Sequence, residues 1–303
     1  MAVIPFICRT LTWLLLLTSL GVRAEAPLIL LSDTGSSYTS MVTALQRHYG
    51  EKMEVRAFTD FDPTTEQQLL LAVGSRACAT ALDELAPQRR LFCLFLPAQT
   101  FQELTANTHG QALLDEQRLG ALFLDQPLAR QMRLAQLIKP DMKSIGTVIG
   151  PDNANQAQVF EQQALALGLE PVIGYLPRTE NPVQVLSPII SDSDLFLPLP
   201  DRSVFNRAAA KWILYITLRK GVPLLGFSAR YADAGAVVAL YSDIDGLARQ
   251  AVEILKQPGK QLPPPGWPQD FSININYTAA RNLGLNLPPV KQLIEQLRAQ
   301  EGQ

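Results

Sequence analysis

Short apolar runs alternate with amphipathic stretches along most of the chain, and this alternation constrains the fold more than any other feature. The runs at 28–32 and 69–73 are continuously apolar, which is typical of strands covered on both faces of a parallel sheet. Segments of helical length and period follow them. The pattern therefore predicts an α/β fold assembled from successive β-α units.

The same periodicity assigns individual elements within two halves of the chain. In the first half it predicts strands at 28–32, 69–73, 91–96 and 119–124, and helices at 38–49 and 75–85. In the second half it predicts strands at 145–149, 171–175, 195–199, 223–226 and 237–241, and helices at 128–139, 155–167, 183–190, 203–220 and 244–256. A stiff proline-rich segment, 263–268, precedes a last strand-helix unit and predicts a crossing between the halves.

The first 24 residues have the layout of a secretory signal peptide. Arg9 precedes an apolar run at 11–20, and Val22-Arg23-Ala24 offers small residues at the positions that a signal peptidase recognises. We expect cleavage after Ala24 and export to the periplasm; the alternative is a buried N-terminal helix. Cys8 lies before the apolar run, whereas a lipid-modified cysteine would follow it, so a lipid anchor is not expected.

Charge and hydropathy narrow the classes of partner. The chain has a formal net charge of −2, which becomes −4 when Arg9 and Arg23 leave with the signal peptide. A mildly acidic chain without a Lys/Arg block is not expected to bind nucleic acid. No later segment approaches the roughly 20 apolar residues of a membrane-spanning helix, so the exported protein is not expected to span a membrane.

Cysteine and histidine usage leaves one question open. Cys78 and Cys93 remain after cleavage, and an oxidising compartment permits a disulfide between them, although two buried free thiols are the favoured alternative. A Cα–Cα distance within about 7 Å would make the disulfide feasible. His48 and His109 lack metal-ligand spacing, so neither a metal nor a cofactor is expected.

Catalytic motifs are not found. The stretch 226–230 resembles a nucleophile elbow but lacks its second glycine, and no histidine accompanies a credible nucleophile. The turn after the first strand has one glycine where a dinucleotide-binding turn needs three, and no phosphate-binding loop of the Walker type is present. We therefore expect a binding protein and not an enzyme.

Polar clusters recur where predicted strands end. In open α/β sheets the ligand crevice lies outside the carboxyl ends of the strands, where helix N-termini offer free N–H groups. Each cluster alone can also be explained as a purely structural helix cap, because Ser, Asp and Asn are common N-cap residues. Taken together, they predict a ligand-binding cleft lined by Ser36, Ser75, Asn153, Asp201, Arg202 and Ser228.

Arg202 is the residue of this set that best suits an anionic group. It stands at the start of the predicted helix 203–220, where its guanidinium adds to the positive helix terminus. The alternative is a solvated arginine or one paired with Asp201.

The region 118–288 resembles the periplasmic substrate-binding proteins of ABC transporters. The resemblance rests on Leu128-Ala129-Arg130-Gln131-Met132, on Lys143-Ser144-Ile145-Gly146-Thr147-Val148, on 197–204, and above all on Asp270-Phe271-Ser272-Ile273-Asn274-Ile275-Asn276. The similar branch has a type I periplasmic-binding fold and is often linked to aromatic amino acid uptake. The chain departs from it in the first strand-to-helix turn, in 98–117 and in Asp201-Arg202-Ser203, where the family typically has Thr-Asp-Asn.

The resemblance implies two Rossmann-like lobes with parallel sheets, joined by three hinge crossings near 124–127, 232–236 and 263–268. The implied N-terminal lobe comprises 25–125 plus 236–264, and the C-terminal lobe 126–235 plus 265–303. The implied function is solute binding for an ABC-type importer: a small molecule, such as an amino acid or another small carboxylate, binds between the lobes, and an inner-membrane permease recognises the closed form. A ligand-binding sensor module without a transporter is the alternative.

Overall fold

The computed structural model describes residues 26–150, 154–176, 182–200, 207–257 and 261–302. From 26 to 127 its elements are β1 (Leu28–Leu31), α1 (Ser36–Tyr49), β2 (Val55–Ala57), a 3-10 turn (Phe58–Asp60), β3 (Leu69–Val73), α2 (Ser75–Asp83), β4 (Arg90–Leu96), α3 (Ala98–Leu104), α4 (Thr108–Asp115) and β5 (Leu119–Phe123). From 128 to 302 they are α5 (Leu128–Ile138), β6 (Ser144–Ile149), α6 (Ala154–Ala166), β7 (Glu170–Tyr175), α7 (Pro182–Ser191), β8 (Leu195–Phe196), α8 (Arg207–Lys220), β9 (Leu225–Gly226), α9 (Ala229–Ala234), β10 (Val238–Tyr241), α10 (Ile244–Leu255), β11 (Ser272–Ile275), α11 (Tyr277–Asn282) and α12 (Val290–Gln300).

The first lobe is built on a five-stranded sheet in the order β2-β1-β3-β4-β5, with every pair parallel. Successive residues of β1 pack into different layers: Leu28 and Leu30 join the apolar cluster on the α2 side, whereas Ile29 contacts the cluster that contains Met41 of α1. Later in the chain, α10 returns to pack against α1 on that side. Burial on both faces explains why these strands are continuously apolar.

The proline-rich segment extends this sheet beyond β5. The N–H of Gly266 donates to the carbonyl of Ala121 over 3.0 Å, and the N–H of Phe123 donates to the carbonyl of Gly266 over 3.0 Å. Leu122 and Gly266 thus form a parallel bridge. The segment is extended because proline fixes φ near −65° and cannot continue a helix.

The second lobe has two three-stranded sheets, β7-β6-β8 and β11-β10-β9. A single parallel bridge between Phe196 and Leu224 connects β8 to the chain entering β9, so the two sheets form one layer. Among the described strands of this lobe, every pairing is parallel except that between β10 and β11. The α/β class with two parallel-sheet lobes, predicted from the sequence, is confirmed.

The described residues differ from the predicted elements in a few places. Two helices, α3 and α4, occupy part of 98–117, where no element was predicted, and the short strand β2 was also missed. The start of the predicted helix 203–220 lies outside the described residues, which begin again with α8.

Strand pairing also bears on the domain boundaries, which otherwise stay a prediction. β10 pairs with β9 and β11 in the second lobe, although its residues fall in the range 236–264 that was assigned to the first. The segment that packs on the first lobe begins at α10. The chain therefore crosses between β10 and α10, after the predicted crossing at 232–236.

The two cysteines are bonded. Cys78 of α2 and Cys93 of β4 form a disulfide with a Cα–Cα distance of 5.6 Å, and both residues are fully buried. The favoured expectation of free thiols was wrong, because α2 packs directly over β4 and brings the two Cα atoms within bonding range. Within the described residues, no helix combines the length and the hydropathy needed to cross a membrane.

Candidate ligand-binding cleft

Three chain crossings between the lobes meet at the side chain of Gln126. Its Nε2 donates to Ser242 Oγ over 2.7 Å and to the carbonyl of Asp270 over 3.3 Å. Ser242 Oγ in turn donates to the carbonyl of Leu124 over 2.7 Å. Leu124 and Gln126 belong to the first crossing, Ser242 to the second and Asp270 to the third, so one amide connects all three.

A buried arginine supports this amide from the second lobe. Nη1 of Arg130 donates to Gln126 Oε1 over 2.7 Å and to the carbonyl of Pro268 over 2.9 Å, and its Nε pairs with Glu301 over 2.7 Å. The side chains of Arg130 and Glu301 are only 5% and 9% exposed. Removing an ion pair from water costs free energy that its hydrogen bonds must offset. The contacts of Arg130 therefore depend on one another, and loss of one is expected to weaken the rest.

Beside these crossings lies a cleft with two neighbouring cavities. The first, here called the Trp267 cavity, has a volume of about 350 Å³ and takes its lining from both lobes. Its first-lobe side includes Pro97, Ala98, Gln99, Gln102 and Asp125, and its second-lobe side includes Gln131, Asn155, Gln156, Leu199 and Pro200.

The second, here called the Phe227 cavity, has a volume of about 300 Å³. Both cavities are lined by Pro97, Asp125, Gln126 and Pro200, so they are parts of one crevice. Phe95 lines the Phe227 cavity from the first lobe, and Phe227 and Ser228 line it from the second. A shared crevice of this size, mostly apolar with a few polar groups, is what small-molecule sites have in common.

Asp125 is the one acidic group among the described residues that line the two cavities. Its carboxylate accepts from the N–H of Ala98 over 2.7 Å, at the start of α3, and from Nε1 of Trp267 over 3.4 Å. Burial raises the pKa of this carboxyl, while the two hydrogen bonds oppose the rise. A carboxylate held in a poorly solvated crevice gains strongly from a cationic partner.

Two amide side chains lining the Trp267 cavity add acceptors without partners. Gln131 donates through Nε2 to the carbonyl of Gln126 over 2.8 Å, and its buried Oε1 has no hydrogen-bond partner among the described residues. Gln99 Oε1 is buried and unpartnered in the same sense. Leaving a buried acceptor unsatisfied costs about 1–3 kcal/mol, which a ligand with hydrogen-bond donors would recover.

The backbone is strained at the rim of the Phe227 cavity. Phe95 has a φ of 64°, rare for a residue other than glycine, and the register between β4 and β5 shifts at the same place. Its ring packs edge-on against Tyr38 with centroids 5.5 Å apart. Strain of this kind concentrates at ligand sites, because only surrounding structure can maintain it.

On the opposite side of this cavity the turn after β9 depends on a glycine. A Cβ at Gly226 would lie 2.3 Å from the Cβ of Tyr231, closer than two such atoms can approach. The ring of Tyr231 packs on Phe227 with centroids 4.9 Å apart, and its burial raises the pKa of its phenol to about 12. Gly226 thus lets α9 pack tightly and positions Phe227 at the cavity.

The structure separates the predicted site residues. Ser228 lines the Phe227 cavity, whereas Ser36 at the start of α1 and Ser75 at the start of α2 are not among the lining residues of either cavity. Asn153, Asp201 and Arg202 lie outside the described residues. The six-residue site therefore stays a prediction.

Other lining residues were missed because they follow no strand-end pattern. Gln126 and Trp267 lie in the crossings, and Gln99 is the second residue of α3, a helix that was not predicted. For Asp125 a signal did exist, since it is a charged residue that directly follows the predicted strand 119–124 and stands two residues before Pro127.

Several solved structures are similar to this chain over most of its length. A conserved domain protein from Vibrio cholerae matches 90% of this chain and 98% of its own, with 16% identity and a TM-score of 0.61. An ABC domain from Streptococcus pneumoniae in complex with L-Trp gives 13% identity and a TM-score of 0.60, covering 89% and 97% of the two chains. The substrate-binding protein CD0873 from Clostridium difficile, in its open, ligand-free structure, gives 14% identity and a TM-score of 0.63. The match covers 87% of this chain and 96% of CD0873.

The fold is that of the type I periplasmic-binding proteins. At these identities the similarity establishes the fold alone. No family model matches the sequence, and no curated protein matches it either. The neighbours of this type I fold are mostly binding proteins and regulators.

Proposed function

We propose that this protein is the periplasmic solute-binding component of an ABC-type importer, and that it binds a small molecule between its lobes by domain closure. The observation that carries the proposal is the crevice at Asp125, lined by both lobes directly beside the three crossings. A ligand that contacts both lobes favours the closed state by its greater affinity for it. An inner-membrane permease would then recognise that state.

The described lining favours a ligand that donates hydrogen bonds and carries positive charge. Asp125 supplies a carboxylate, Gln99 and Gln131 supply unpartnered acceptors, and no lysine or arginine is among the described lining residues. An amino acid meets this requirement through its ammonium group, and Trp267 and Phe227 offer apolar faces for its side chain. Arg202 remains our candidate for its carboxylate.

The chemistry of the described lining supports binding over catalysis. Asp125 and Tyr241 are its ionisable groups, and they share no hydrogen bond among the described contacts. General acid-base catalysis needs a positioned partner for the group being protonated or deprotonated. The serines at 228 and 242 have no histidine beside them in either cavity.

Calorimetric titration with matched compounds tests the ligand class. L-Tryptophan, its decarboxylated analogue tryptamine and its deaminated analogue indole-3-propionate separate the need for the amine from the need for the carboxylate. We expect amine-bearing compounds to bind, and Asp125→Asn to weaken them about ten- to a hundredfold, or ~1.5–3 kcal/mol, since a charge-assisted pair is lost. Asp245→Asn is the matched control, because Asp245 lies 58% exposed on the outside of the first lobe.

Equal affinity of the amine-bearing compounds for wild type and Asp125→Asn would contradict the assigned ligand chemistry, as would binding of indole-3-propionate as tight as that of L-tryptophan. A thermal-shift screen of amino acids, nucleosides and small carboxylates in which nothing raises the unfolding temperature would contradict the binding function itself. The transport role has its own test: a deletion strain should lose uptake of the bound compound, and the exported protein should begin at Glu25 by mass spectrometry. Ligand binding without any uptake defect would favour the sensor alternative.

A further inference from the structure

The outer face of α8 carries large apolar side chains that nothing in the described structure covers. Trp212, Tyr215 and Leu218 are 48%, 49% and 61% exposed, and their spacing places them on one side of the helix. The opposite side is buried in the second lobe through Ile213 and Ile216. The exposed side chains of Trp212, Tyr215 and Leu218 are therefore not part of the hydrophobic core of the second lobe.

Cations accompany these side chains. The helix sequence RAAAKWILYITLRK contains no aspartate or glutamate; Lys211 and Arg219 are exposed on the same face, and Lys220 is exposed at the C-terminal end of the helix. Arg219 stacks over the ring of Tyr215 at 5.7 Å and donates to its hydroxyl over 2.9 Å. This local positive charge stands out in a chain whose net charge is −2.

We propose that this face of α8 docks on the surface of an anionic phospholipid membrane. Trp and Tyr have an apolar ring and a polar edge, which suits the boundary between headgroups and acyl chains. Lysine and arginine place their aliphatic stems along the apolar surface and their charges at the headgroups. An amphipathic helix with aromatic residues and flanking cations, lying flat in the interface, combines both attractions.

Complementary charge decides for this occupant over a second copy of the chain. Two copies meeting through this face would bring its cations together, and the helix provides no carboxylate to balance them. An anionic lipid surface supplies the opposite charge continuously. The docking surface is independent of the cleft, so a variant of α8 should keep its ligand affinity.

Flotation with lipid vesicles tests the proposal on the exported, full-length protein. We expect binding to vesicles of mixed phosphatidylglycerol and phosphatidylcholine, little binding to pure phosphatidylcholine, and release at high salt, where surface charges are screened. Tyr215→Ala with Leu218→Ala should abolish most binding. Tyr277→Ala with Leu165→Ala removes the same side-chain types from other exposed positions and should not.

The charges are tested separately. Lys211→Gln with Lys220→Gln should weaken vesicle binding about tenfold or more, whereas Lys52→Gln with Lys291→Gln, also exposed but elsewhere, should have a much smaller effect. In a Trp267→Phe protein, Trp212 is the one tryptophan left after export, and its fluorescence should shift to the blue on vesicles.

Failure to float with anionic vesicles would overturn the proposal. So would equal flotation of the Tyr215/Leu218 variant and its control. A dimer in sedimentation that this variant alone disrupts, without vesicle binding, would reassign the face to self-association.

Discussion

Neighbouring strands in the first lobe are joined over three to five register pairs, whereas β8 and β9 at the centre of the second lobe have two residues each and meet through one bridge. The first lobe also carries the disulfide between α2 and β4. Both lobes line the cleft, but only the second has so short a connection among its described central strands. We therefore predict that the first lobe is the more rigid one, here called the firm lobe, and holds Asp125 in place, whereas the second, here called the compliant lobe, adjusts around a ligand.

The largest effect is expected where the lobes join. Arg130→Ala removes one partner of a buried ion pair and the hydrogen bonds to Gln126 and Pro268, so it should lower the free energy of unfolding by about 3–5 kcal/mol. Urea unfolding measures the loss. Asp141→Asn, which breaks an ion pair whose carboxylate side chain is 81% exposed, should cost less than about 1 kcal/mol.

A loss for Arg130→Ala no greater than that of the surface control would show that the crossings do not depend on this network. The double variant Arg130→Met with Glu301→Gln tests whether the loss of stability comes from an unpaired buried charge. Because it leaves no uncompensated charge, it should recover part of the lost stability.

The disulfide provides the test of the firm lobe. Its cysteines are 15 residues apart, and closing a loop of that length stabilises a protein by about 3 kcal/mol in the chain-entropy model. Cys78→Ala with Cys93→Ala should therefore speed hydrogen exchange in β3, β4 and α2, while β6 and β7 keep their protection. A uniform loss of protection across both lobes would mean that they unfold as one unit.

The smallest effect is expected in the compliant lobe, at Asp194. Its Oδ2 accepts from the N–H groups of Lys143 and Ser144 over 2.7 and 3.0 Å, joining the start of β6 to the turn before β8. Burial acts to raise the pKa of this carboxyl, but those hydrogen bonds and the charge of Lys139 outweigh it and hold the pKa below its usual range. Asp194→Asn should cost about 1 kcal/mol or less at neutral pH.

The pH dependence of that cost follows from the direction of the shift. A carboxyl with a lowered pKa in the folded state stabilises the protein above its unfolded pKa, and this contribution disappears as the pH falls through the acidic range. The difference in unfolding free energy between wild type and Asp194→Asn should therefore shrink between neutral pH and about pH 3. A difference that grows on acidification would contradict the assigned contacts.

The elements of both lobes were predictable because their signals are local. Buried strands such as β3 are continuous apolar runs, and the helix α1 ends at Gly50, whose φ of 84° favours glycine. By contrast, β2 is short, partly exposed and lies at a sheet edge, so it leaves little trace in the apolar pattern.

The site was less predictable because its contacts are distant in sequence. Gln126 and Ser242 are 116 residues apart, and Arg130 and Glu301 are 171 apart. The left-handed backbone of Phe95 has no local cue, since nothing in its residue type favours that conformation. Disulfide formation likewise depended on how α2 packs over β4, which spacing alone does not determine.

The proline-rich segment has a consequence for solubility. A sheet normally ends in a strand with free N–H and C=O groups, which can recruit a strand from another molecule and start aggregation. Here the position beyond β5 is occupied by Pro263, Pro264 and Pro265, which lead into Gly266. Because proline has no N–H group, these three residues cannot donate a hydrogen bond to a strand of another molecule. The crossing that connects the lobes thereby also terminates the sheet.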